Sequence, residues 1–117
     1  MPSYILSYRT AKSYGAPAGT DDVALWTTFL SEYVEPNVVD PGYPVRDASR
    51  VLGEIGESTQ IVGYSIVTAD DFEAALRIAE QCPTLKQGGG VEVGMLTPLP
   101  PEHPLERMRS RPRSSKS

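Results

Sequence analysis

Residues 60–96 read QIVGYSIVTADDFEAALRIAEQCPTLKQGGGVEVGML, and this stretch decides the fold class. Ile61, Val62, Tyr64, Ile66 and Val67 form a run apolar on both faces, and Gly63 within it permits close backbone approach, the pattern of a strand covered on both sides. Asp70 and Glu73 stand at the D-x-x-E spacing of a capping box, and Ala69, Phe72, Ala75, Leu76 and Ala79 recur as the buried stripe of a helix ending near Cys82 and Pro83. Gly88, Gly89 and Gly90 then turn the chain into a strand over 91–96, in which Val91, Val93 and Met95 alternate with Glu92, Gly94 and Leu96. The stretch is therefore strand, helix, glycine turn, strand, and it contains no cluster of catalytic or metal-binding side chains.

Upstream, Tyr4, Leu6 and Tyr8 alternate with Ile5, Ser7 and Arg9, the period of two of a first strand. Residues 12–20, KSYGAPAGT, read as a loop. Thr20 and Asp21 supply an N-cap and first-turn negative charge, after which Val23, Trp26, Phe29, Leu30, Tyr33 and Val34 recur at helical spacing up to Pro36. A short strand over 37–40 is broken by Pro41, Gly42 and Pro44, and residues 49–54, SRVLGE, read as a strand or hairpin arm. The order β-α-β-β-α-β predicts a ferredoxin-like α+β fold, a four-stranded antiparallel sheet with two helices on one face. Two helices cover one face only. Period-two alternation sets Val62, Tyr64 and Ile66 on one side of the central strand and Ile61, Gly63 and Val67 on the other, so the second face calls for a cover, and a second copy of the chain supplies it. A homodimer is the expected assembly.

The chain of 117 residues, 39% hydrophobic and 22% charged, fits one globular domain. No run approaches the roughly 18 consecutive apolar residues of a membrane span, and MPSYILSYRT enters strand alternation without a signal-peptide pattern, so a cytoplasmic location is expected. The single cysteine, Cys82, excludes an internal disulfide framework and reads as a small packed residue. Charge divides the chain. Residues 1–98 carry six Lys and Arg against thirteen acids, net −7, whereas residues 99–117 carry five against Glu102 and Glu106, net +3. An acidic body argues against nucleic acid as a partner, because Lys and Arg neutralising phosphates supply most of that affinity. From Thr97 the Pro, Arg and Ser composition lacks apolar periodicity, so residues 99–117 are expected to form a basic, disordered tail after a domain over 1–98.

GYSIVTADDFEAALRIAEQCP followed by GGGVEVGML resembles the C-terminal half of the YCII-related family, also called DGPF-domain proteins. That family's pattern is a Gly-Tyr strand, an acid-capped alanine-rich helix ending in Cys-Pro, and a Val-Glu-Val strand. YILSYR in the first strand, Trp26, and the stretch Val39-Asp40-x-Gly42-x-Pro44 are similar to a subgroup of it. The resemblance spans residues 3–98 and implies a dimeric α+β barrel. In some relatives a histidine on the first helix and an aspartate after it are the proposed catalytic dyad. Here the helix reads DDVALWTTFLSEYVEP, without histidine, and only Asp40 matches the acidic position; VLGEIGESTQIVGY occupies the place of the Asp-Gly-Pro-Phe motif.

Candidate site residues gather on and around the loop 40–50. On a functional reading Asp40, or Asp47, is a general base, and Arg46 or Arg50 anchors an anionic or enolic substrate, with Arg9, Tyr8 and Tyr64 lining an adjoining cleft. On a structural reading the aspartates are turn and cap residues and the tyrosines belong to core or interface. His103, flanked by Glu102 and Pro104, reads as a solvated tail residue, and Gly88–Gly90 lead into a strand rather than the helix N-terminus that a phosphate cradle requires. No cofactor or metal is implied. Two readings of function stand: a non-catalytic small-molecule-binding or interaction module, which the missing helix histidine favours, and a lyase or isomerase using Asp40 as base on a ring or carbonyl compound.

Overall fold

In a computed structural model that describes residues 1–11, 20–45, 49–55 and 58–110, the chain is an α+β protein built on one four-stranded antiparallel sheet. Strands β1 (Ser3–Ala11), β2 (Val38–Asp40), β3 (Thr59–Thr68) and β4 (Gly90–Met95) lie in the order β2-β3-β1-β4. Helices α1 (Thr20–Phe29) and α2 (Phe72–Ala79) make the second layer, and a short α3 (Pro104–Ser110) follows the sheet. The arrangement is compatible with a ferredoxin-like fold. Residues 49–55, expected to hold a strand or hairpin arm, form no regular element; the Gly53 and Glu54 bend interrupts them.

Burial in β1 follows the expected alternation without a break: Tyr4, Leu6, Tyr8 and Thr10 are buried and the residues between them half-buried. The core lies between that face and the helices, where these side chains meet Phe29, Val34, Val67, Ala75, Ala79 and Cys82. Tyr8, Trp26 and Phe29 form an edge-to-face aromatic cluster, with ring centroids 5.1 Å apart for Tyr8 and Trp26 and 5.9 Å for Tyr8 and Phe29. Such pairs add about 0.5–1.5 kcal/mol to their burial.

Strict alternation fails in β3. The β1–β3 register shifts between Tyr8 and Arg9, where Tyr8 pairs Gly63 and Arg9 pairs Ile61. The extra residue is Val62, and a bulge of this kind turns it onto the side of its neighbour Gly63, so Val62 packs against the core instead of joining Tyr64 and Ile66. Ile61, by its pairing with Arg9, moves to the opposite, open face. The open face thus carries Ile5, Ile61, Tyr64 and Ile66 among Ser7, Arg9 and Glu92, all outside the core cluster.

Helix α1 gives way to a π-type turn over Leu30–Val34 and a 3₁₀ turn over Glu35–Asn37 that contains Pro36. The widened turn rotates the stripe, leaving Leu30 at 38% exposure while Val34 is buried. The N-cap of α1 lies outside the described residues. Asp71, not Asp70, caps α2: its backbone is extended and its carboxylate accepts the Ala74 N–H at 2.8 Å. The capping-box expectation is one residue out of register, and Phe72, at the helix start, is 41% exposed instead of buried. Beyond α2, Cys82 leads into a 3₁₀ turn (Pro83–Lys86) that Gly88 closes in the left-handed region, φ 73°. Gly89 then packs on β1 so closely that a Cβ there would overlap the Arg9 carbonyl. Only glycine permits β4 to enter the sheet at this point.

Candidate functional site

The described site residues are spread along the open side of the sheet, into the core and onto the connection after β2. Asp40 ends β2 opposite Ile66, is half-buried, and uses Oδ1 to accept the Gly42 N–H at 2.9 Å, an Asx turn. Gly42, φ 77°, lies against β3 so closely that a Cβ would overlap the Tyr64 carbonyl oxygen. Ser65 Oγ donates to the Pro41 carbonyl at 2.8 Å, Pro44 bridges to Gly63, and Val45 N–H donates to Val62 O at 2.9 Å. The loop after Asp40 is therefore laced along the edge of β3, and its two prolines blunt that edge against further strand pairing.

Arg9 faces the open side of the sheet, where its Nε donates to Thr59 Oγ1 at 2.8 Å and its Nη2 to Thr59 O at 3.1 Å. Its partner Ile61 stands five residues from Ile66, the partner of Asp40. At about 3.3 Å per residue this separates the two along the sheet by roughly 16 Å. Tyr64, opposite Ser7, lies between them on the same face. Arg50 is exposed and outside any element. Arg46 and Asp47 lie outside the described residues.

Tyr8 points the other way, and its expected place in a cleft beside Arg9 is corrected: successive strand residues face opposite sides, and Tyr8 belongs to the core, 4% exposed. Its hydroxyl is buried without a hydrogen-bond partner. Ser65 is its neighbouring hydroxyl, and the Ser65 proton goes to the Pro41 carbonyl. Desolvation pushes the Tyr8 pKa up to about 12. Cys82 is equally enclosed, 2% exposed, with its sulfur 3.1 Å from Thr84 Oγ1, and burial pushes the thiol pKa up, which is the opposite of an activated nucleophile.

A groove of about 400 Å³ opens elsewhere, between the Leu30–Val34 turn and α2. Tyr33, Ala74 and Ile78 form its apolar part, and Asn37, Asp70 and Arg77 stand around it. The Asn37 amide donates to Tyr33 O at 3.3 Å, and Thr68 Oγ1 donates to Asn37 O at 3.4 Å, which ties the rim to the end of β3. None of the candidate site residues named from the sequence lines it. Tyr33 and Ala69 read from the sequence only as members of a buried helical stripe, and Asp70 only as a cap. Among the described residues no group of His, Cys, Asp and Glu is arranged to hold a metal ion, and no helix is long and apolar enough to cross a membrane.

His103 has a local role that its sequence context did not suggest. It precedes α3, and its Nδ1 accepts the Leu105 N–H at 3.1 Å while its carbonyl accepts the Arg107 N–H at 3.0 Å. The segment expected to be a structureless tail thus holds a two-turn helix with an imidazole cap. Comparison with protein-family models, with curated proteins and with solved structures finds no match for this chain.

Proposed function

We propose that the chain is a YCII-like homodimer that serves as a non-catalytic small-molecule-binding or interaction module. The observation that carries this reading is the open face of the sheet. Ile5, Ile61, Tyr64 and Ile66 stand there outside the core, with both long helices on the other side. β1 is nine residues long. At about 3.3 Å per residue and about 4.8 Å between strands, the face measures on the order of 30 by 15 Å. Such a face, about 450 Å² in projection, is a little over half of the roughly 800 Å² per partner of an ordinary stable interface. Two sheets packed face to face would bury it.

Catalysis by Asp40 has less support. A general base needs a carboxylate free to face substrate beside an anchoring cation. Asp40 spends one oxygen on the Gly42 turn, and Arg9 is distant along the sheet.

The test is the mass of the chain in solution by sedimentation equilibrium, with Ile66→Glu as the variant. A dimer that becomes a folded monomer on placing a charge at Ile66 supports the reading. A parent chain that is monomeric at every accessible concentration, or a dimer indifferent to Ile66→Glu, overturns it.

A further inference from the structure

The first turn of α3 is held by a histidine, and we infer that α3 is a pH-sensitive helix: the neutral imidazole of His103 caps it, and protonating that imidazole releases it. Leu105 and Met108 then share one side of a helix only on the neutral side of the histidine titration. This switch is independent of the homodimer proposed above.

Residues 103–110, HPLERMRS, carry the device. Pro104 occupies the first helical position, where its missing N–H costs nothing and its fixed φ suits the helix. His103 stands before it as the N-cap. Its carbonyl accepts the Arg107 N–H at 3.0 Å, and its Nδ1 accepts the Leu105 N–H at 3.1 Å, one of the donors that a helix start leaves without an internal partner. Asn, Asp, Ser and Thr are the usual side chains at this position, and none of them changes charge between about pH 5 and 8. Histidine does. Nδ1 accepts only through its lone pair, whereas an imidazolium carries a proton on each ring nitrogen, so turning the ring over restores nothing. Protonation therefore aims one donor at another, and it adds positive charge at the helix end where the backbone dipole is already positive.

The surrounding charges do not reverse this. Glu102 and Glu106 are the acids beside His103, Arg107 and Arg109 are the bases, and no other element packs extensively against α3. Glu106 Oε2 accepts from Nε and Nη2 of Arg109, and this hydrogen bonding holds the Glu106 carboxyl below the usual carboxylate range. Glu106 thus stays ionised through the histidine window. Its charge attracts an imidazolium but supplies no acceptor to the Leu105 N–H. The helix has little else to keep it formed: it is seven residues long, and Leu105 and Met108 are 51% and 63% exposed. Helices this short are marginal in water, so the loss of one cap shows in the population of the helix.

Nuclear magnetic resonance of the isotopically labelled full chain reads the switch. From pH 8 to pH 5 the carbon-13 secondary shifts of residues 104–110 should fall toward coil values with the same midpoint as the His103 ring. The helix-to-coil ratio should drop about fivefold, which is the ~1 kcal/mol of a typical cap at 1.4 kcal/mol per factor of ten. His103→Asn, whose side-chain oxygen caps at either pH, should keep α3 equally helical at both, and His103→Ala should leave it equally weak at both. Identical α3 shifts in the parent at pH 5 and pH 8 would overturn the switch, as would a midpoint that tracks a carboxylate and not the ring. So would a His103→Asn chain that still loses the helix on acidification, a loss shared equally by β1 and β3, or a parent without helix over 104–110 at pH 8.

Discussion

Removing the hydroxyl of Tyr8 should make this protein more stable, and most of all in alkali. The side chain is 4% exposed, its ring is held edge-on by Trp26 and Phe29, and its hydroxyl finds no partner. A buried polar group left unbonded costs about 1–3 kcal/mol. Tyr8→Phe keeps the ring contacts and removes that cost, less a few tenths for the small void, so a gain of about 1 kcal/mol at neutral pH is expected. The pH dependence follows from the raised pKa, about 12 against 10.0. The folded state binds the phenolic proton more tightly than the unfolded state does. Its contribution is therefore fully present below pH 10 and is lost as pH rises through 12, amounting to about 2–3 kcal/mol. The phenylalanine variant has no such loss, so its advantage over the parent should widen across that window. Urea unfolding followed by the fluorescence of Trp26, the single tryptophan, measures both effects in the two proteins over a pH series. A variant about 1 kcal/mol less stable than the parent at neutral pH refutes the reasoning, because it means that the hydroxyl is bonded, by Ser65 or by a water molecule.

Three further outcomes are expected. Asp71→Ala removes the carboxylate that accepts the Ala74 N–H and should cost about 1 kcal/mol in thermal or urea unfolding, whereas Asp70→Ala should cost much less. Gly42→Ala meets both a left-handed backbone and the Tyr64 carbonyl, and should destabilise by about 2 kcal/mol or more, with hydrogen exchange at Val45 accelerated as the loop leaves the β3 edge. The Cys82 thiol, buried and with its pKa raised, should resist a thiol reagent in the native protein and react at full rate in urea; rapid native labelling would contradict its enclosure.

The sites that were hardest to read from the sequence share a cause. Asp70 and Asp71 are adjacent acids before the same helix, and capping spacing alone favoured Asp70 with Glu73; the extended backbone at Asp71 decides that its carboxylate reaches Ala74. Asp40 was legible as a turn residue or a base, and the Gly42 amide shows where one of its oxygens goes. Tyr8 and Arg9 looked like neighbours for one cleft because they adjoin in sequence, although strand geometry sends them to opposite faces. The groove drew no attention because Tyr33 and Ala69 read as ordinary helical stripe residues, and Ala74 and Ile78 carried no signal of their own.

What the sequence by itself determined is the order of the four strands and the two long helices, and the buried alternation of β1. Both depend on backbone periods of 2 and 3.6 residues, which are local properties that apolar spacing records directly. The tertiary structure alone decided that a bulge opposite Tyr8 sends Val62 to the core and Ile61 to the open face, that the Tyr8 hydroxyl is stranded, and that residues 33, 37, 70, 74, 77 and 78 surround one groove. These features arise where strands and helices distant in sequence are pressed together. A single extra residue or one missing hydrogen-bond partner then changes which atoms meet, and no local pattern encodes that meeting.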